Sequence, residues 1–253
     1  GHILTPQGWM KDGSVLISDG KILEVTNSDL AVIGAKIIDA KGMFIVPGFI
    51  SMHAHGGGGH DFTESTPEAF QQAVQAHLKH GATSIFPTLS STSFDNIRKA
   101  VHTCEELMKE SGSTIQGLHI EGPYLNKKMA GPQWEEFLKD PDPDEYIPLL
   151  ESTKCIKRWD ISPELPGAHD FARYTHSKGI LTAITHTEAE YPEIKAAFEA
   201  GFTHAAHFYN AMPGFHKRRE YKYEGTVESV YLTDGMSVEV IADGIHLPAT
   251  ILK

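Results

Sequence analysis

Apolar runs of strand length alternate with amphipathic helical patterns from about residue 44 onward. Repeated strand–helix alternation is typical of a parallel sheet, because each connecting helix packs back onto the sheet. Several of the helical patterns end at a glycine, as a helix C-cap does: Gly81, Gly179, Gly201 and Gly235. The seven predicted strands are "MFIVPGFI", "ATSIFPT", "IQGLHIE", "IKRWDIS", "ILTAIT", "THAAHF" and "SVEVIAD". The pattern predicts an α/β fold, a (β/α)8 TIM-like barrel whose eighth strand is missing from this chain.

The segment before this alternation has short strand patterns without intervening helical patterns. Residues 1–45 contain short strand-like stretches, and "SVLISDGKILEV" places strand-forming residues on both sides of Asp19-Gly20, which predicts a hairpin. This portion is too small to bury a core alone. We therefore predict two parts, a small β portion at 1–45, for which the family resemblance described below implies a β-sandwich, and a barrel at 46–253.

Charge and cysteine usage narrow the class of protein. The chain has 33 acidic and 22 basic residues, a formal net charge of −11, which argues against nucleic acid as a partner. The two cysteines, Cys104 and Cys155, form no paired motif, so a disulfide framework is not expected and a cytoplasmic location is favoured. No apolar run reaches the length of a membrane span, and no signal-peptide pattern opens the chain.

Histidines and a glutamate recur where the predicted strands end. In "HAHGGGGH", His53 and His55 are two residues apart and so project to one side of a strand. The His-x-His pair alone fits equally well a pair of polar residues at a strand exit. The other strand ends add Glu121, His186 and His207, and the seventh offers Asp243 and His246. Because the carboxyl ends of barrel strands meet at one rim, the set predicts a site for one or two divalent ions. Imidazole and carboxylate ligands suit Zn²⁺, Fe²⁺, Mn²⁺ or Co²⁺.

His119 shares a strand face with Glu121 but lies one step deeper, so we expect it to support the site or to pack beneath it.

The motifs together resemble a known family. "PGFISMHAHGGGG", "HIEGPYLN", "ITHT", "HFYNAMP" and "IADGIHLP" are similar to the corresponding segments of the amidohydrolase superfamily and, within it, of the N-acetylglucosamine-6-phosphate deacetylases. The resemblance runs through the whole chain. It implies a (β/α)8 barrel with a small β-sandwich built from both chain ends. It also implies metal-dependent hydrolysis of the N-acetyl group of N-acetylglucosamine-6-phosphate to glucosamine-6-phosphate and acetate.

The resemblance also implies roles for single residues. Glu121, His186 and His207 would hold the main ion, and His53 and His55 would help to hold a second. The implied substrate-binding residues are Gln133, Asn210, the backbone of Ala211, Arg219 and His246. Arg219, with Arg218 next to it, would reach the phosphate from a neighbouring subunit, which implies a homodimer.

Three positions depart from the family pattern. Ser51 stands where the family usually has an aspartate, and Gln133 stands where some members have a histidine near the acetyl carbonyl and others a glutamine. The catalytic aspartate of the family follows the eighth strand, so we expect it after residue 253 and expect no catalytic acid or base within this chain.

Two other functions remain open from the sequence. One is a related amidohydrolase acting on a different acylated amine or a cyclic amide. The other is a non-catalytic barrel that binds a sugar phosphate.

Overall fold

The chain forms two units, Gly1–Phe49 and Ile50–Lys253. The computed structural model describes all 253 residues. Five short strands occupy the first unit: β1 (His2–Thr5), β2 (Gly8–Met10), β3 (Ser14–Ser18), β4 (Lys21–Thr26) and β5 (Phe44–Ile45). They form a three-stranded sheet in the order β2-β1-β5 and a separate antiparallel hairpin of β3 and β4. A β-sandwich is therefore not established for this portion.

The hairpin turn is confirmed at the predicted dipeptide. Asp19 and Gly20 have φ values of 52° and 73°. Positive φ at both central residues is what a two-residue hairpin loop of the favoured twist requires, and glycine and aspartate tolerate it best.

The second unit is built on a parallel sheet of seven strands, as predicted. The strands are β6 (Phe49–Ala54), β9 (Ala82–Leu89), β10 (Leu118–Glu121), β11 (Ile156–Ile161), β12 (Leu181–Ile184), β13 (Phe202–Ala205) and β16 (Ser237–Val238). Their order across the sheet is β16-β13-β12-β11-β10-β9-β6, so strands that follow one another in the chain lie side by side. Two small hairpins accompany them, β7 (Gly56–Gly57) with β8 (His60–Asp61) and β14 (His216–Arg218) with β15 (Tyr221–Tyr223). This sheet is consistent with a TIM-like barrel.

Helices connect the sheet strands. They are α1 (Pro67–Lys79), α2 (Phe94–Met108), α3 (Pro143–Ser152), α4 (Ala168–Ser177), α5 (Tyr191–Ala200) and α6 (Thr226–Tyr231). Local sequence sets their ends: the Thr66 hydroxyl accepts from the amide of Ala69 at the start of α1, and the Ser93 hydroxyl accepts from that of Asn96 at the start of α2. The four glycines predicted to end helices all have positive φ, from 70° to 115°.

Two predicted strands differ most from the observed ones in their bounds. The run "MFIVPGFI" divides at Pro47: Phe44–Ile45 pairs with β1 in the first unit, and Phe49–Ala54 opens the parallel sheet. Proline has no amide hydrogen for a ladder, so one continuous strand cannot run through it. The seventh strand covers only Ser237–Val238 and not 237–243, because its pairing with β13 extends over these two residues.

Aromatic side chains make up much of the core of the second unit. The rings of Tyr124 and Trp159 stack with centroids 5.7 Å apart, and Phe171 meets the Trp159 ring edge-on at 5.2 Å. Cys104 and Cys155 are both free and buried. None of the helices has the length and apolar character needed to cross a membrane.

Candidate metal centre

His53 and His55 leave the first strand of the sheet side by side. Their Nε2 atoms lie 3.2 Å apart. The chain then turns back at once through the glycine run. A Cβ on Gly56 would lie 2.0 Å from the carbonyl oxygen of His60, so only glycine permits this close approach of the two hairpin strands. The glycines thus let the backbone reverse immediately after the second imidazole.

All five predicted metal ligands meet around one carboxylate. Glu121 ends β10 and is 1% exposed. Its Oε1 atom lies 2.9 Å from His207 Nε2, 3.3 Å from His186 Nε2 and 3.8 Å from His53 Nε2. Its Oε2 atom lies 3.2 Å from His55 Nε2. Two overlapping ligand groups result, Glu121 with His186 and His207, and Glu121 with His53 and His55.

The hydrogens on two of these imidazoles can be assigned from their partners. Nδ1 of His186 lies 2.7 Å from the carbonyl oxygen of Met129, and Nδ1 of His207 lies 3.1 Å from that of Asn210. A carbonyl oxygen only accepts, so each Nδ1 carries the hydrogen, and in a neutral imidazole Nε2 is then a bare lone pair. Both lone pairs face the Glu121 carboxylate, which is an arrangement that a cation between them stabilises.

The hydrogen on His53 can be assigned in the same way. Nδ1 of His53 lies 2.9 Å from Oε1 of Glu239, and a carboxylate accepts, so Nε2 of His53 is also bare and faces His55. Imidazoles that donate from one nitrogen to a carbonyl or carboxylate and present the other to a common point are typical of metal ligands. The donor set therefore fits a divalent metal ion.

The pKa shifts of Glu121, His55 and His207 all favour positive charge beside the Glu121 carboxylate. Burial by itself raises the pKa of Glu121, but hydrogen bonds with His186, His207 and His55 outweigh it and hold the pKa well below its ordinary value. Burial by itself lowers the pKa of His55 and of His207, but hydrogen bonding to Glu121 outweighs it and raises both. Both upward shifts have one cause, the Glu121 carboxylate, which favours positive charge on the atoms that face it.

The backbone at two of the ligands is unusual. His186 has a φ of 44° and His207 a φ of 30°, in the left-handed region that non-glycine residues seldom adopt. Such conformations cost of order 1–3 kcal/mol each and occur most often at functional sites. Each residue stands two positions after the end of a strand, His186 after β12 and His207 after β13, and its ring faces Glu121.

Gln133 lies against Glu121. Its side-chain amide nitrogen donates to Glu121 Oε2 at 2.7 Å, and its oxygen accepts from the backbone amide of Ser91 at 2.8 Å. The assignment of oxygen and nitrogen follows from these two partners. The hydroxyl of Thr185 also lies within hydrogen-bonding distance of the cluster, 3.0 Å from Nε2 of His207.

The predicted substrate residues lie in different settings. The side-chain nitrogen of Asn210 is buried without a hydrogen-bond partner, next to His207. Ala211, with a φ of 52°, accepts from the amide of Thr187 through its carbonyl oxygen. Arg219 has a φ of 55° in the turn of the β14–β15 hairpin.

Other predicted residues are not brought into the cluster. Arg219 is exposed, and neighbouring Arg218 forms an ion pair with Glu190. His246 is exposed and its Nδ1 lies 2.7 Å from Asp243 Oδ2. Neither Arg219 nor His246 hydrogen-bonds to any of the five clustered residues.

A charged group that was not predicted from the sequence lies beneath the imidazoles. Arg158 and Asp160 lie on the inner face of β11, where His119 pairs with Arg158 and Glu121 with Asp160 in the strand register. Both are buried, and the Arg158 guanidinium holds Asp160 by two hydrogen bonds of 2.7 and 2.6 Å. His119, fully buried and one step below Glu121 as predicted, has its Nε2 3.0 Å from Asp160 Oδ2. The two-residue spacing of the charges in "IKRWDIS" is the signal that could have placed them on this face.

Known proteins are similar to this chain in sequence. The N-acetylglucosamine-6-phosphate deacetylase of Lysinibacillus sphaericus is 30% identical over 249 residues, and that of Haemophilus influenzae is 32% identical over 251 residues. Each alignment covers 97% of this chain, and the chain spans 63% of the length of each of these two relatives.

Solved structures share the fold. N-acetyl-D-glucosamine-6-phosphate deacetylase from Mycobacterium smegmatis superposes with a TM-score of 0.86 at 28% identity, covering 99% of this chain and 70% of that one. A mutant from the same organism in complex with N-acetyl-D-glucosamine-6-phosphate gives a TM-score of 0.83 at 27% identity, covering 99% of this chain and 64% of that one. Residues 44–253 match the model of the amidohydrolase family. The chain therefore belongs to the amidohydrolase family.

Proposed function

We propose that this chain carries the metal-binding barrel of an N-acetylglucosamine-6-phosphate deacetylase. The observation that carries the proposal is the convergence of four Nε2 atoms on the single buried carboxylate of Glu121, within 3.8 Å in every case. The names of the relatives supply the substrate, and the buried unpartnered amide of Asn210 supports a polar ligand beside the same centre.

Two ions fit the ligand set. Glu121, His186 and His207 would hold the main ion, and His53 and His55 would help to hold the second beside Glu121. Zn²⁺, Fe²⁺, Mn²⁺ and Co²⁺ all accept imidazole and carboxylate ligands. When bound there, a divalent ion supplies Lewis acidity, which activates water and polarises a carbonyl group.

The reaction breaks the amide bond of the acetylated sugar. The acetyl carbon gains the oxygen of water and leaves as acetate, and the sugar nitrogen gains a proton. We propose that Asn210 donates to the sugar phosphate or a sugar hydroxyl, with the Ala211 backbone and His246 beside it. Arg219 is the proposed phosphate ligand, reaching the site of a partner subunit in a homodimer.

Gln133 has a different proposed role from the one its sequence position suggests. Its amide is engaged with Glu121 on one side and with Ser91 on the other. We therefore propose that it holds the Glu121 carboxylate in place and does not polarise the acetyl carbonyl.

The decisive test is acetate release by the complete gene product, because the resemblance implies a catalytic aspartate after residue 253. We expect release from N-acetylglucosamine-6-phosphate that chelation abolishes and that Zn²⁺ or Co²⁺ restores. Unphosphorylated N-acetylglucosamine should be a much poorer substrate, and Arg219→Ala should narrow that difference by raising KM for the phosphorylated sugar.

Three results bear on the proposal. Absence of metal binding to wild-type protein overturns it. Metal-dependent release from N-acetylgalactosamine-6-phosphate in preference to the glucosamine derivative would move the substrate to that isomer, on which a relative in Escherichia coli O157:H7, 26% identical, acts by its name. Metal binding without acetate release from either sugar favours the non-catalytic binding barrel.

A further inference from the structure

The structure assigns to Glu239 a positioning role: it fixes the ring of His53 so that Nε2 points at the second metal position. Oε1 of Glu239 lies 2.9 Å from Nδ1 of His53. This inference rests on the proposed metal-binding function. Glu239 directly follows the short last strand β16 and lies 186 residues from His53 in the chain, so only the folded sheet brings the two together.

Glu239 is itself held on several sides. The Arg158 guanidinium donates to Oε2 at 2.8 Å and to Oε1 at 2.5 Å. The backbone amide of Glu239 donates to the carbonyl oxygen of Ala205 at 3.1 Å, and its own carbonyl oxygen accepts from the amide of Phe208 at 2.7 Å. The backbone bonds hold the position of residue 239, and the carboxylate cannot turn away from His53 without breaking the two hydrogen bonds from the guanidinium.

Arg158 is in turn locked from the opposite side. Asp160 takes two further hydrogen bonds from the same guanidinium, and Arg158 is 3% exposed. Arg158, Asp160 and Glu239 together carry one positive and two negative charges. Glu239 lies beside the imidazole of His53, and Asp160 lies beside that of His119. His204 borders it, with Nε2 3.6 Å from Glu239 Oε2.

The hydrogen bond with Glu239 determines which nitrogen of His53 carries the hydrogen. A carboxylate paired with a guanidinium is ionised and can only accept, so it selects the tautomer of His53 with the hydrogen on Nδ1. Nε2 is left bare, 3.2 Å from Nε2 of His55 and 3.8 Å from the shared glutamate oxygen. A carboxylate behind a ligating histidine fixes ring and tautomer in this way, and its loss typically costs 10–100-fold in metal affinity.

The test compares Zn²⁺ binding by wild-type protein and by Glu239→Gln, using titration against a chromophoric chelator and metal analysis after dialysis. We expect wild-type protein to bind two equivalents. Glu239→Gln should bind the first with unchanged affinity and the second about 10–100-fold more weakly. Glu199→Gln, which removes one carboxylate from an exposed helical position, is the matched control and should bind both ions as wild type does.

A double-mutant comparison separates positioning from a general loss of stability. His53→Gln should weaken the same second ion, and combining it with Glu239→Gln should weaken it no further, because the carboxylate acts through the imidazole. Additive losses in the double variant would overturn the inference, since independent structural effects add.

The remaining outcomes are also decisive. If Glu239→Gln does not fold, Glu239→Asp keeps a carboxylate for Arg158 but withdraws it from His53 by one methylene, and should show the same selective loss. Unchanged affinity for the second ion in the folded variant refutes the positioning role, as does wild-type protein that binds a single ion. Wild-type protein that binds no metal refutes the proposed function itself.

Discussion

Replacing Gln133 with alanine removes the amide that braces Glu121. The side chain is 7% exposed and makes two hydrogen bonds, donating to Glu121 Oε2 at 2.7 Å and accepting from the Ser91 amide at 2.8 Å. The change deletes both and leaves Ser91, 1% exposed, with a backbone amide that has lost its acceptor.

The size of the effect can be estimated from these two bonds. A hydrogen bond to a charged group contributes about 1.5–3 kcal/mol, and a buried donor left unpaired costs about 1–3 kcal/mol. Water entering the space left by the side chain restores part of this loss. We therefore expect Gln133→Ala to lower the free energy of unfolding of the metal-free protein by about 2–4 kcal/mol. Because Glu121 belongs to both ligand groups, the affinity for each of the two ions should fall by about 10–100-fold.

Urea unfolding of the metal-free protein and Zn²⁺ titration measure the two quantities separately. Gln71→Ala, on the exposed side of α1, is the matched control and should change neither by more than about 0.5 kcal/mol. Unchanged Zn²⁺ affinity in Gln133→Ala would show that the carboxylate does not depend on this amide. A rise in KM for the acetylated sugar with metal affinity intact would return Gln133 to the substrate carbonyl.

Three further predictions follow from the core, the glycine turn and the imidazoles. Trp159→Ala, in the fully buried aromatic core, should destabilise the protein by about 3–5 kcal/mol in urea unfolding, and a loss under about 1 kcal/mol would contradict the packing described. Gly56→Ala places a Cβ 2.0 Å from a backbone oxygen of the opposite strand, so it should destabilise the protein. In a Zn²⁺ titration it should lower the affinity for the second ion more than the affinity for the first. Unchanged affinity for both ions would contradict the close approach. In the metal-free protein, burial lowers the pKa of His55 and His207, but the contact with Glu121 outweighs it, so both pKa values are raised. As the pH rises, the unfolded chain therefore loses these two protons before the folded protein does. The stability that these two groups contribute is present below about pH 6.5 and is lost as pH rises through their raised pKa values, whereas Zn²⁺ affinity increases over the same range, because metal and proton compete for the same nitrogens. Urea unfolding and Zn²⁺ titration from pH 5 to 9 check both signs, and parallel trends would refute the assignment.

Local patterns in the sequence were sufficient for most of the sheet. Strand and helix periodicity predicted seven parallel strands, and Asp19-Gly20 predicted the hairpin, because both depend on residues close in the chain. The run "MFIVPGFI" was predicted as one strand but divides at Pro47, since its first half pairs with β1, at the start of the chain. The last strand is shorter than predicted because its length depends on neighbours in the sheet.

The site was predictable to the same extent. Strand ends of a parallel sheet share one edge, so the positions of Glu121, His186 and His207 were sufficient to predict that they meet. The supporting residues were not predictable in this way. Gln133 and Glu239 act through contacts made across the fold, and nothing in their local sequence identifies the partners.

By itself, the sequence determined which side chains stand at the strand exits, because alternation along a strand and the turn after it are local properties. Only the tertiary structure decided which nitrogen of each imidazole faces the centre. That choice depends on acceptors behind each ring, the Met129 carbonyl for His186 and the Glu239 carboxylate for His53, which are 57 and 186 residues away in the chain. A neutral imidazole has one hydrogen to place, and the partner that takes it is supplied by the fold.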